Sequence, residues 1–198
     1  MNILHISTSI SNENSFSIKL GQSIIEKLLD KNTQATVIHK DLAKSPLPYY
    51  GELHYKTLLL SENTQSEEAI KVLEISEQSI KEIETADTIV IGVPMYNFGI
   101  PATLKTWIDH ICKAKRTFNY TENGPKGLLT GKKVYLAISS GGVYTNSEMQ
   151  ASDFTESFLR ASLGFLGMTD ITAIRVEGIG IPGIKENSLE KAISSIQI

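Results

Sequence analysis

The segment TIVIGVPMYNFGIPATLKTWIDH, residues 88–110, decides how the chain folds. Its first six residues are β-branched apart from one glycine and show no polar alternation, which predicts a strand covered on both faces. From Pro101 onward the pattern predicts a helix with proline at its first position, burying Leu104, Ile108 and Ile111. Between them stand Met95, Tyr96 and Phe98, flanked by Pro94 and Pro101, where a surface loop is normally polar. A doubly covered strand followed by a helix is the repeating unit of an open α/β sheet.

Four more β-rich runs flank this segment: NILHI near the start, ATVIH at 35–39, KVYLAI at 133–138 and ITAIRV at 171–176. Helical patterns fill the gaps. Ser17 to Leu29 carries Leu20, Ile24, Ile25 and Leu28, and Glu67 to Ile83 carries an apolar stripe at three- and four-residue spacing. Two further helices run through Phe154, Phe158 and Leu159, and through Leu189, Ala192 and Ile196. This alternation predicts one domain over residues 1–198, with a five-stranded parallel sheet between helices on both faces. Right-handed crossovers favour the flavodoxin-like strand order 2-1-3-4-5. Two connections are longer than such a fold needs, Leu42 to Asn63 and Arg116 to Thr130. The first carries an apolar, aromatic-rich stretch: Tyr49, Tyr50, Tyr55, Leu58, Leu59 and Leu60.

A net charge of -3 over 198 residues offers no basic face for nucleic acid. A single cysteine excludes an intrachain disulfide and a cysteine-rich metal site. No apolar run reaches the roughly 18 residues of a membrane helix. The start, MNILHIS, goes straight into a strand without a basic leader, so a cytoplasmic location is expected.

In an open α/β sheet, ligands sit beyond the carboxyl ends of the strands where the strand order reverses. Three unusual loops fall on that edge. STSISNENSFS, residues 7–17, is rich in hydroxyls and opens a helix, which suits a terminal phosphate without any basic side chain. It holds no G-x-G-x-x-G or P-loop pattern, and Ser15 has a plain helix cap as its alternative reading. PMYNFG, residues 94–99, brings aromatic and amide groups to a planar ring, unless Met95 and Phe98 only plug the core. SSGGVY, residues 139–144, has two glycines that let backbone amides approach a ligand, or that form an ordinary turn. Their coincidence on one edge points to a single FMN pocket.

The stretches PMYNFGIPATLKTWID, FNYTENGPKGL, TGKKV, SSGG and GFLGM together resemble the FMN-dependent NAD(P)H azoreductases, also called FMN-dependent NADH:quinone oxidoreductases. The resemblance runs from the first strand to about VEGIG at 176–180. It implies FMN contacts at Ser9, Ser15, Phe16, Ser17, Met95, Tyr96, Asn97, Phe98, Ser139, Ser140, Gly141 and Gly142. It also implies a ping-pong reaction in which NADH or NADPH gives hydride to tightly bound FMN. Quinones or azo compounds then take the electrons. Gly141 and Gly142 amides are expected to stabilise charge on the reduced ring. Phe98, with Tyr120 and Phe165, is expected to contact the acceptor. No side chain is assigned as acid or base, and no metal is expected. Relatives form homodimers with active sites at the interface. Ser140 stands where relatives often carry Arg, so no charged contact is expected from it.

Two other readings compete. A flavodoxin-like electron carrier would want a concentrated charged docking face, and a flavin-free phosphoacceptor module would want acidic residues where Ser7, Thr8 and Ser9 stand. His5 reads as a partnered core residue, Trp107 as packing and Cys112 as a packed thiol.

Overall fold

The computed structural model describes residues 1–59 and 66–198. Leu60 lies outside the described residues, as do the side chains of Leu58 and Leu59. The chain runs β1 (Asn2–Ser7), α1 (Phe16–Lys31), β2 (Thr36–Asp41), α2 (Glu52–Leu59), α3 (Glu67–Thr85), β3 (Thr88–Pro94) and α4 (Ala102–Ile111). It continues through β4 (Phe118–Thr121), β5 (Gly124–Gly127), β6 (Lys133–Ser139), α5 (Thr155–Phe165), β7 (Asp170–Val176) and α6 (Lys185–Ser194).

The main sheet is parallel, in the order β2-β1-β3-β6-β7. Because β4 and β5 stand apart as their own pair, this is the flavodoxin-like order 2-1-3-4-5. All seven residues of β3 are buried, as its unbroken apolar run requires. One face of the sheet packs Ile89, Ile91, Val134 and Leu136 against α3, α4 and α5, around the fully buried Trp107. The other packs Ile3, Val90, Tyr135 and Ile174 against α1 and α6.

The excursion at 116–130 is an antiparallel hairpin, Phe118 pairing with Gly127, that docks on the end of α5 through Leu129 N donating to Leu166 O at 2.8 Å. The long connection after β2 is fixed by a histidine pair. His110 Nε2 donates to Pro48 O at 2.8 Å, which leaves Nδ1 to accept from Ser76 Oγ at 2.8 Å. The His54 ring lies edge-on to His110, with centroids 4.8 Å apart, and Tyr50 stacks on His54. Helix α4 begins at Ala102 with Pro101 as its N-cap, one residue from the predicted position.

His5 is partnered, as expected: its Nδ1 lies 3.0 Å from Nδ1 of His39, its register partner on β2. Burial first, and His39 second, lower its pKa to about 4 from the ordinary histidine value. The unfolded chain therefore binds a proton near pH 6.5 that the folded chain refuses until about pH 4. Stability should be full above the upper limit and decline as pH falls through this window, by on the order of 3 kcal/mol. Urea unfolding at pH 7.5 and pH 5 measures the difference. A His5→Leu variant should shrink it, and an equal pH dependence in both proteins would contradict the assignment.

Candidate functional site

Register aligns the carboxyl ends of the strands. Ser7 pairs with Gly92, Pro94 with Ser139, and Ser139 with Val176. The loops leaving β1, β3 and β6 therefore emerge together, astride the point between β1 and β3 where the strand order reverses.

The first loop is drawn onto β3. Thr8 Oγ1 donates to Gly92 O at 2.7 Å, and a Cβ on Gly92 would come within 3.2 Å of Ser17 O. A side chain here would press on the first turn of α1, which rests closely on the strand backbone. Ser15 is the N-cap of α1, its Oγ accepting from Ile18 N at 3.3 Å, so the capping alternative is correct as far as it goes. Ser15 Oγ also lies 3.0 Å from Ser17 Oγ, and both residues are buried. Two hydroxyls sharing one hydrogen bond leave one O–H proton to spare, whichever of them donates. The amides of Phe16 and Ser17, in the first turn, have no intrahelical acceptor. Ser9 is buried beside them, its Oγ accepting from Ser11 N at 3.2 Å. This set of hydroxyls and amides at a helix N-terminus suits a phosphate group.

The second loop is a tight turn. Tyr96 N donates to Gly99 O at 3.0 Å and Gly99 N returns a bond to Tyr96 O at 3.1 Å. The two central residues, Asn97 and Phe98, both have positive φ, 48° and 70°. That is the signature of a type I′ turn, in which glycine normally follows asparagine. A phenylalanine there is strained, and such strain concentrates at ligand sites. Phe98 is 45% exposed, so it does not plug the core. The Tyr96 hydroxyl accepts from Ile10 N at 3.2 Å and lies 3.5 Å from Ser9 Oγ, which ties this turn to the first loop. Its ring, rather than its hydroxyl, is left for a ligand.

The third loop has its carbonyls occupied. Ile179, Gly180 and Gly178 donate their amides to Ser140 O, Gly141 O and Gly142 O. Ser140 is buried, and its Oγ donates to Gly142 O at 2.9 Å. The side chain braces the loop instead of facing a ligand, in keeping with the absence of a charged group there. Among the described residues no acceptor meets the amides of Gly141 and Gly142, and a Cβ on Gly141 would meet open space. Hydroxyls and helix-end amides, an aromatic turn and unpaired loop amides thus lie along one edge, a donor set that could hold FMN.

Tyr120 and Phe165 do not join this cradle within one chain. Helix α5 leads away from it, and Phe165 at its end is about 16 Å from its start at 1.5 Å per residue. Phe165 packs on Phe118 with centroids 4.5 Å apart, and Tyr120 meets the same ring edge-on at 5.5 Å. A cavity of about 690 Å³ lies on the other side of the first loop, lined by Ser11, Asn14, His39, Asp41 and Lys44 among others. It takes no residue from Met95–Phe98 or Ser139–Gly142 and sits one strand away from the switch point.

Substituting Phe98 by glycine should leave stability unchanged or raise it by up to about 1 kcal/mol, because the strained φ is relieved. Thermal unfolding, read beside a steady-state assay with a quinone acceptor, tests this together with the acceptor role. The acceptor KM should rise about tenfold, the scale of one lost apolar contact. A lower melting temperature with unchanged KM would show the ring to be packing.

Comparison with known proteins shows what the chain as a whole resembles. A family model described as having a flavodoxin-like fold matches residues 1–197. The chain is 41% identical over 196 residues to an FMN-dependent NADH:quinone oxidoreductase of Herminiimonas arsenicoxydans, covering 98% of this chain and 96% of that one. It is 44% identical over 203 residues to a protein of the same name from Azospirillum brasilense, covering 99% and 96%. An FMN-dependent NADH-azoreductase from Bacillus anthracis str. Ames Ancestor, solved in complex with FMN, superposes with a TM-score of 0.87 at 27% identity, covering 98% and 97%.

Proposed function

The chain belongs to the flavodoxin-like fold family, and from that premise we propose that it is an FMN-dependent NADH:quinone oxidoreductase that also cleaves aromatic azo compounds. One observation carries the reading: loops from three strands, the first tied to the second through the Tyr96 hydroxyl and the second to the third through Met95 N donating to Ser139 O, offer hydroxyl and amide donors, an aromatic turn and free amides at the switch point. When bound, FMN supplies the hydride-accepting and two-electron-donating chemistry. In balance, NADH and one proton convert a quinone to its hydroquinone and leave NAD. An azo bond needs two such turns to give two amines.

The protein's part is position and electrostatics. Ser9, Ser15, Ser17 and the first amides of α1 would hold the phosphate. Met95, Tyr96, Asn97 and Phe98 would border the ring, and Phe98, already exposed, would pack the acceptor. The amides of Gly141 and Gly142 would meet negative charge developing on the reduced ring, as fixed donors that need no reorganisation. No side chain is assigned a proton-transfer role, and solvent supplies the protons.

The cradle is open, with Asn97, Phe98 and Gly141 exposed, while Tyr120 is 76% exposed at the far end of the molecule. This supports a homodimer in which Tyr120 and Phe165 of one copy complete the cradle of the other. Exposed Tyr49 and Tyr55 near α2 give such an interface apolar surface. No helix among the described residues is long and apolar enough to cross a membrane. NADH as reductant and a lone cysteine suit a single-domain cytoplasmic enzyme.

If NADH and acceptor use one cradle in turn, initial rates should give parallel double-reciprocal lines as the two are varied. Intersecting lines would require both substrates to bind at once and would contradict the shared cradle.

A further inference from the structure

Arg175 lies outside the cradle. It is the last residue but one of β7, in register with Ile138, and alternation puts it on the face of Ile171 and Ala173, which pack beside α5. Its guanidinium meets three carboxylates: Asp153 through Nη2, Glu156 at 2.7 Å through Nη1 and Glu177 at 3.3 Å through Nε. A planar fork of five donors can serve three acceptors at once, which an ammonium cannot do in this geometry.

Each end of this cluster is tied to a wall of the cradle. Glu177 Oε1 accepts the amides of Tyr144 and Thr145, both at 3.1 Å, which fixes the loop beyond Gly142. Asp153 Oδ1 accepts Thr155 N at 2.9 Å, and the residue between them, Phe154, donates its amide to Phe98 O at 3.0 Å. One guanidinium therefore spans the loop after β6 and the strained turn after β3. Arg160 pairs with Glu156 at 2.8 Å, so three carboxylates face two guanidiniums, a net charge of 2 − 3 = −1. Without Arg175 only Glu156 would keep a guanidinium, that of Arg160, while Asp153 and Glu177 would lose their ion pairs, and repulsion among the three carboxylates would part the two walls.

We propose that Arg175 is a positioning residue that sets the width of the acceptor pocket, holding residues 143–146 through Glu177 and the Phe98 turn through Asp153 and Phe154. The inference rests on the oxidoreductase reading given above and assigns its acceptor selectivity to a residue that touches neither FMN nor acceptor.

The test compares wild-type holoenzyme with Arg175→Met, Arg175→Lys and Glu177→Gln, using a compact benzoquinone and an extended azo dye as acceptors. The ratio of kcat/KM for the two acceptors should change about tenfold in Arg175→Met, because small displacements of a positioned wall have effects of this order or larger. It should change less in Arg175→Lys. Amide exchange at Tyr144 and Thr145 should speed up in parallel. A purely structural role would lower the melting temperature and leave the acceptor ratio alone, so a folded Arg175→Met with a ratio within twofold of wild type overturns the proposal. Should Arg175→Met fail to fold, Glu177→Gln decides: it keeps an oxygen for both amides but loses the charge facing Arg175, and an unchanged ratio there overturns the proposal equally. Wild type itself reports on the underlying reading: no NADH turnover there overturns both, while turnover with unchanged variants overturns this inference alone.

Discussion

Replacing Gly127 by alanine should destabilise the protein by more than about 3 kcal/mol, a drop of about 10 °C in melting temperature for a chain of this size. A Cβ at this position would lie 2.5 Å from Gly167 Cα and closer still to Gly167 N and Leu166 C. All of these are backbone atoms, so no side chain can rotate away. The reverse approach is also tight: Gly167, at φ 103°, faces Gly127 and Leu129 backbone. The hairpin can accept the methyl group only by lifting off the end of α5, breaking the bond from Leu129 N to Leu166 O. Phe118 and Tyr120 would move with it, so the acceptor KM should rise in the same variant. Gly131→Ala is the control. Gly131 has φ 74° but open space around its would-be Cβ, so only the conformational cost of about 1 kcal/mol applies. Scanning calorimetry of the two variants separates the cases. A Gly127→Ala protein that melts within 2 °C of Gly131→Ala would show that the hairpin is not packed as described.

The second large effect is expected in the first loop. The double variant Ser15→Ala, Ser17→Ala removes the pair that keeps one O–H proton free. Losing one hydrogen bond to a charged group costs about 1.5–3 kcal/mol, so FMN should bind about 10- to 100-fold more weakly. Loss of the Ser15 cap should also lower stability by about 1 kcal/mol. Riboflavin, which lacks the phosphate, tells the two losses apart: its affinity should be nearly unchanged. Fluorescence titration of both flavins gives the answer. Equal weakening of the two would mean that the serines support the helix without contacting phosphate.

These two effects differ in how far the sequence announces them. The strands were legible because each is an apolar run covered on both faces, and β3 is the extreme case with every residue buried. Strand order followed from right-handed crossovers, and with it the edge on which the serine loop, the PMYNFG turn and the glycine pair must meet. The conformation of that turn was not legible. Asn-Gly would announce a type I′ turn, but Asn97-Phe98 adopts it with a residue that pattern rules exclude, because the neighbouring loop and Phe154 hold it. The hairpin at 118–127 was visible only as a cluster of turn formers, since four-residue strands carry too little periodicity to read. Gly127 gave no signal at all, its contact lying with Gly167, forty residues on. Arg175 was hidden for the same reason: its partners lie at 153, 156 and 177, and only the folded chain brings them to one guanidinium. The positions of Tyr120 and Phe165 followed the direction of α5, which places them far from the cradle of their own chain.

Three loops at the switch point are proposed to hold FMN and let NADH reduce it. The most direct measurement is the visible absorption spectrum of the protein after loading with FMN and desalting, followed by NADH under anaerobic conditions and then a quinone. The expected result is a retained yellow chromophore that bleaches with NADH and recovers with the quinone. Protein that leaves the column colourless, or that keeps its colour unchanged when NADH is added, would contradict it.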